Sequence, residues 1–98
     1  MSKTQTKTII RNYELLRCSG RIGALGGETS HPEIIERDMI EVDTADTDAN
    51  RIEAINNVIG GIQWYLDEES GDWGAGETPR IVKARQELAE IRKSVFGR

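Results

Sequence analysis

Along the second half of the chain the apolar residues fall at helical intervals. Ile52, Ile55, Ile59, Ile62 and Leu66 are spaced 3, 4, 3 and 4 residues apart, and Ile81, Ala84, Leu88, Ile91 and Val95 repeat that spacing. Each set lies along one face of an α-helix, because 3.6 residues per turn brings positions three and four apart onto one stripe. Val58 and Tyr65 widen the first stripe; Val82, Ala89 and Phe96 widen the second. Thr47 or Asp48 supplies a side-chain oxygen to cap the first helix. Thr78 followed by Pro79 reads as cap and first residue of the second, where proline has no N–H to lose. The segment Ser70–Glu77 between them carries three glycines and ends a helix. The pattern predicts helices over about 48–69 and about 79–96.

A short connection makes two long helices antiparallel neighbours, and in such a pair facing residues share a constant index sum. Leu66 with Ile81, Ile59 with Leu88 and Ile52 with Val95 share one sum; Ile62 with Ala84 and Ile55 with Ile91 share the sum one lower. The two seams therefore match along their whole length. A long antiparallel hairpin is the expected centre of the fold.

The first 46 residues are less regular. Ile9, Tyr13 and Leu16 predict a helix from Thr8 to about Ser19, stopped there because Gly20, Gly23, Gly26 and Gly27 each cost about 1 kcal/mol inside a helix. Ser30-His-Pro-Glu33 has capping-box spacing and opens a shorter helix over about 32–41 around Ile34, Ile35 and Met39. A strand through Met39–Val42 is the competing reading. The expected fold is all-α: the hairpin with one or two shorter N-terminal helices packed across it, as a single small helical domain over residues 1–98.

Composition narrows the classes. With 98 residues, 37% hydrophobic and 31% charged, a core is possible but thin. One Cys and one His provide neither an internal disulfide nor a zinc ligand set. The apolar runs are far shorter than the ~20 residues of a membrane helix, and the polar start lacks the apolar region of a secretory signal. A cytoplasmic protein without membrane contact is expected.

Charge is segregated. Residues 1–27 hold five bases and one acid, residues 28–77 fourteen acids and two bases, and residues 78–98 six bases and two acids. Either the basic ends neutralise the acidic middle, or the molecule presents two opposed surfaces to partners of opposite sign. An acidic surface of this kind can imitate nucleic-acid phosphates. Direct nucleic-acid binding ranks lower, since the net charge of −4 opposes it.

Candidate chemistry is sparse. Gly20–Gly27, with Arg17 and Arg21, resembles a phosphate-cradling turn. It lacks the Gly-Lys-Ser/Thr of a P-loop and follows no strand, so a helix end and connector is the reading preferred. Asp46-Thr-Asp-Ala-Asn50 matches the first ligands of a calcium loop, but Arg51 replaces the turn glycine and Asn57 the bidentate glutamate. Helix capping explains these acids better. Cys18 and His31 lack an orienting acid or oxyanion motif. No enzyme, cofactor or metal site is expected.

Gly60, Gly61 and Trp64 are the least ordinary residues. Trp64 lies about 200° round the helix from Ile62, away from the apolar stripe, and central glycines cost helix stability unless another backbone approaches. Either the N-terminal helix lies there or the surface receives a partner, for which Trp64 and the loop residue Trp73 are anchors. The leading expectation is a non-catalytic protein that occupies a surface of a larger protein or nucleoprotein, as small phage and mobile-element inhibitors of host machinery do, and that forms a homo-oligomer. The rival expectation is an oligomer that binds a small anionic ligand such as a nucleotide through Arg11, Arg17 and Arg21, with Tyr13 stacked on the base.

Overall fold

The structure, a computed structural model, describes residues 2–27, 31–71 and 76–97. The chain is all-helical, with five helices and no strand among the described residues: α1 (Lys3–Cys18), α2 (Arg21–Gly27), α3 (Pro32–Thr44), α4 (Asp48–Ser70) and α5 (Pro79–Phe96). Both long helices begin where their caps direct. Thr47 accepts the Asn50 N–H and Thr78 accepts the Ile81 N–H. Gly97 closes α5 with φ at 73°, a left-handed conformation that glycine adopts without strain.

Two features of the N-terminal half differ from expectation. α1 begins at Lys3 rather than Thr8, because Ser2 and Gln5 form a reciprocal capping box. The glycine-rich stretch is helix α2 and not a connector. Gly20, with φ at 79°, turns the chain out of α1, and Ile22 and Leu25 then bury one face of the new turn. A Cβ on Gly26 would lie 3.2 Å from Ile35 Cγ2, so this glycine lets α2 sit close on α3. Burial offsets the poor local propensity, as it does for most short helices. Three helices, rather than one or two, thus precede α4.

The helix expected over about 32–41 is present as α3 and runs on to Thr44, so residues 39–42 are helical and the competing strand is not formed. Ile35 and Val42 are both buried, two turns apart on one face. The expected capping box at α3 involves Ser30, which lies outside the described residues.

Buried side chains of all five helices form one cluster. Every residue of both long apolar stripes belongs to it: Ile52, Ile55, Ile59, Ile62 and Leu66 from α4, and Ile81, Ala84, Leu88, Ile91 and Val95 from α5. α4 packs on α1, α3 and α5; α2 touches α1, α3 and α5. No helix among the described residues is long and apolar enough to cross a membrane.

This packing sorts the charge. α3 and α4 carry ten acids and two bases, a net of −8; α1 and α5 carry nine bases and three acids, a net of +6. Ion pairs join the two groups along their seams. Arg17 on α1 holds Asp43 on α3, Arg51 on α4 reaches Glu14 on α1 at 3.3 Å, and Arg85 on α5 reaches Asp67 on α4 at 2.6 Å. These contacts neutralise part of the charge, and the net charge of the two helix pairs stays opposite in sign.

Candidate partner-binding site

α4 is 23 residues long, and one stripe of it is solvent-exposed from end to end: Glu53, Asn56, Asn57, Gly60, Trp64 and Glu68. These positions recur at intervals of three and four, so they form one continuous face. At its centre Gly60 and Trp64 are one turn apart. A Cβ on Gly60 would meet nothing within 4 Å, and Trp64 is 55% exposed.

The indole is exposed but not loose. Its ring stands edge-on to Tyr65, with centroids 4.9 Å apart and planes at 71°. Tyr65 is buried, and the His31 ring lies on it at 4.7 Å. Edge-to-face contact of this kind holds aromatic rings in a preferred geometry. Trp64 is therefore a large apolar group braced on the core and turned to solvent, beside a stretch of helix that Gly60 leaves bare.

Gly61 has a different role. An added Cβ would lie 3.6 Å from both Ile35 Cδ1 and Asp38 Oδ2, so α3, rather than the N-terminal helix, approaches α4 there. The adjacent glycines, about 100° apart round the helix, thus differ in surroundings: Gly61 meets α3 and Gly60 does not. Gly60→Ala is expected to stabilise the fold by up to about 1 kcal/mol, from helix propensity with no clash. Gly61→Leu should destabilise it by about 1–3 kcal/mol by forcing Ile35 aside. Urea denaturation of the two variants checks both signs.

The anion-binding set does not converge. Tyr13 is 1% exposed and offers no face to a base. Arg17 is held by Asp43, whose carboxylate raises its pKa chiefly through their hydrogen bond. Arg21 donates from Nε to Glu87 Oε1 at 2.7 Å, and Arg11 is exposed on α1. What sequence reasoning missed is the company of Arg21: with Arg80 and Lys83 of α5 it lines a cleft of about 520 Å³. Arg21 lies 59 and 62 positions before these two bases and shares no motif with them.

The other sequence signals resolve into structure. Thr47 caps α4, and Asp46 accepts from the Asn50 side chain at 2.9 Å, so the calcium-like segment builds a helix start. Cys18 ends α1 while His31 precedes α3 and packs its ring, tilted by 39°, on Tyr65. No three of His, Cys, Asp and Glu are grouped as metal ligands among the described residues. Trp73 lies outside the described residues. Comparison with protein-family models, with characterised proteins and with solved structures gave no match.

Proposed function

We propose that this chain is a non-catalytic binding protein that acts by occupying a surface of a larger protein or nucleoprotein, with the outer stripe of α4 as its contact face. One observation carries the reading: Gly60 and Trp64 sit side by side on an exposed helix face. A central glycine costs about 1 kcal/mol, and Gly60 receives no packing in return among the described residues. Braced, exposed tryptophan is the residue most enriched among groups that dominate binding energy. Together they form a notch and a knob for an incoming element.

Charge gives the partner its chemistry. Glu53 and Glu68 flank the pair, and α3 beside it is acidic. A cationic cleft, such as one that otherwise holds nucleic-acid phosphates, is the complementary surface. An inhibitor of host machinery, of the kind that phages and mobile elements encode, fits this chemistry. Beneath the face we place α4 and α5 as an antiparallel hairpin, a reading supported by the burial of both stripes and by Arg85, which reaches Asp67 and Ser70 near the end of α4. A second copy of the chain is the competing occupant of the α4 face, and would make the protein a homo-oligomer.

The test is capture from a bacterial lysate by the tagged chain, compared with Trp64→Ala and Gly60→Leu. A protein retained by the parent chain is expected to be lost, at least tenfold, with either variant, while circular dichroism shows both folded. Release should begin at moderate salt, since exposed charges are screened within about 8–10 Å. Retention unaffected by either variant would remove the α4 face from the reading. A concentration-dependent change of mass without any captured protein would assign the face to self-association instead.

A further inference from the structure

We infer that in the free chain a second copy covers the outer stripe of α4 in a two-fold antiparallel pair, so that a larger partner must displace it. The inference rests on the proposed function only in taking this stripe as a contact face, and it adds how the face is regulated.

A two-fold pair has to fit itself, since one patch meets the same patch of the other copy. Gly60 and Trp64 meet that condition. With two α4 helices antiparallel about a point midway between residues 60 and 64, each indole lies over the bare backbone at Gly60 of the other copy. There an added Cβ meets nothing within 4 Å among the described residues. The register holds along the stripe: Asn57 faces Asp67 and Glu53 faces Gly71, and all four are exposed. Positions 53, 57, 60, 64, 67 and 71 alternate by four and three, the spacing of a helix-pair seam.

Charge selects the direction of the pair. Asp67 is held in place, because its Oδ1 accepts from Gln63 at 3.0 Å and from Arg85 at 2.6 Å. An Asn57 amide of the second copy then donates to a fixed carboxylate, a charge-assisted hydrogen bond. On the flanks Gln63 meets Gln63 and Glu68 meets Ala54, so no acid of the stripe faces an acid. A parallel pair sets Trp64 on Trp64 and places Glu53, Asp67 and Glu68 each against its own kind.

The pair is weak enough to be displaced. A seam of one helix per copy, about 27 Å long at 1.5 Å per residue, is smaller than the ~1,600 Å² of a standard stable interface. Like charge also opposes it: α3 and α4 together carry a net of −8, and Asp38, beside Gly61, comes near its own copy across the axis. Salt screens that repulsion. The pair therefore tightens with salt, whereas capture by a cationic cleft loosens.

Sedimentation equilibrium of the purified chain from about 1 to about 500 μM, a range centred on affinities of about −6 to −8 kcal/mol, tests this. The mass should rise from one chain to two and no further, with Kd falling at least threefold from low to high salt. Trp64→Ala and Gly60→Leu should abolish the rise while circular dichroism shows both folded. Asn57→Asp, which sets an acid against Asp67 twice in each pair, should weaken the pair at least tenfold and leave capture by a cationic partner intact. Cys18 is exposed, so the register is read in a Cys18→Ser background: Asn57→Cys chains mixed with Asp67→Cys chains should form a disulfide, and neither should form one alone. A one-chain mass at every concentration, indifference to Trp64→Ala or Asn57→Asp, or a disulfide between two Asn57→Cys chains would each overturn the inference. Capture by a chain that stays monomeric removes the pair and keeps the larger partner. A pair with these properties and no captured protein keeps the pair and removes the larger partner.

Discussion

Leu88→Ala is expected to remove about 2–5 kcal/mol of folding stability, the usual cost of emptying a leucine site in a packed interior. Leu88 is 1% exposed and Ile59 is 2% exposed, and their positions in the two stripes make them facing residues of the proposed hairpin. Ile59→Ala should therefore cost a similar amount. Domains have only about 5–15 kcal/mol in total, so either change brings a chain of 98 residues close to unfolding at body temperature. The pairing itself is tested by the double variant. If Ile59 and Leu88 touch, their combined loss should differ from the sum of the single losses by at least about 0.5 kcal/mol, whereas separated sites add within that margin. Glu53→Ala, on the exposed stripe of α4, should stay within about 0.5 kcal/mol of the parent. Strict additivity with large single losses would keep both residues in the core and remove the facing register.

The same stripes explain why α4 and α5 were legible. Their apolar period runs for about four turns, Thr47 and Thr78 before Pro79 mark the two starts, and the glycine segment after Ser70 marks the end of α4. α2 was not legible, because its stability is not local. Ile22 and Leu25 are buried only because α1, α3 and α5 pack around α2, with Gly26 close on Ile35, and propensity counts the glycines but not these neighbours. The start of α1 was written in Ser2 and Gln5, but the polar run after it has no apolar period to draw attention to it. At the α4 face, the angle between Ile62 and Trp64 already turned the indole outward, and Trp64 is exposed. Which helix approaches Gly61 was beyond reach, since that depends on how the irregular first third folds back.

Tyr13 shows the opposite case, a residue whose chemistry suggested one role while its spacing implied another. Set among arginines, it resembles a stacking platform; four residues after Ile9 and three before Leu16, it belongs to the buried stripe of α1. The structure follows the spacing, and its hydroxyl is buried with no hydrogen-bond partner among the described residues. Tyr13→Phe is accordingly expected to raise stability at pH 7 by about 1 kcal/mol, because a buried polar atom without a partner costs about 1–3 kcal/mol.

Alkaline pH gives the larger effect. Burial pushes the Tyr13 hydroxyl up to about 12 from 10.0, with Arg17 opposing the rise and Asp43 adding to it. The folded chain thus holds the phenolic proton more tightly than the unfolded chain. This contribution is complete below about pH 10 and is lost as the pH climbs toward 12, a fall of about 2–3 kcal/mol at 1.36 kcal/mol per unit. Urea denaturation at pH 7, 10, 11 and 12 should show the parent weakening more steeply than Tyr13→Phe, with the difference between them growing across that window. Titrations common to both proteins cancel in the difference, so the divergence reports Tyr13 alone. Parallel curves above pH 10 would mean that the hydroxyl reaches water in solution, and that α1 does not seal this part of the core.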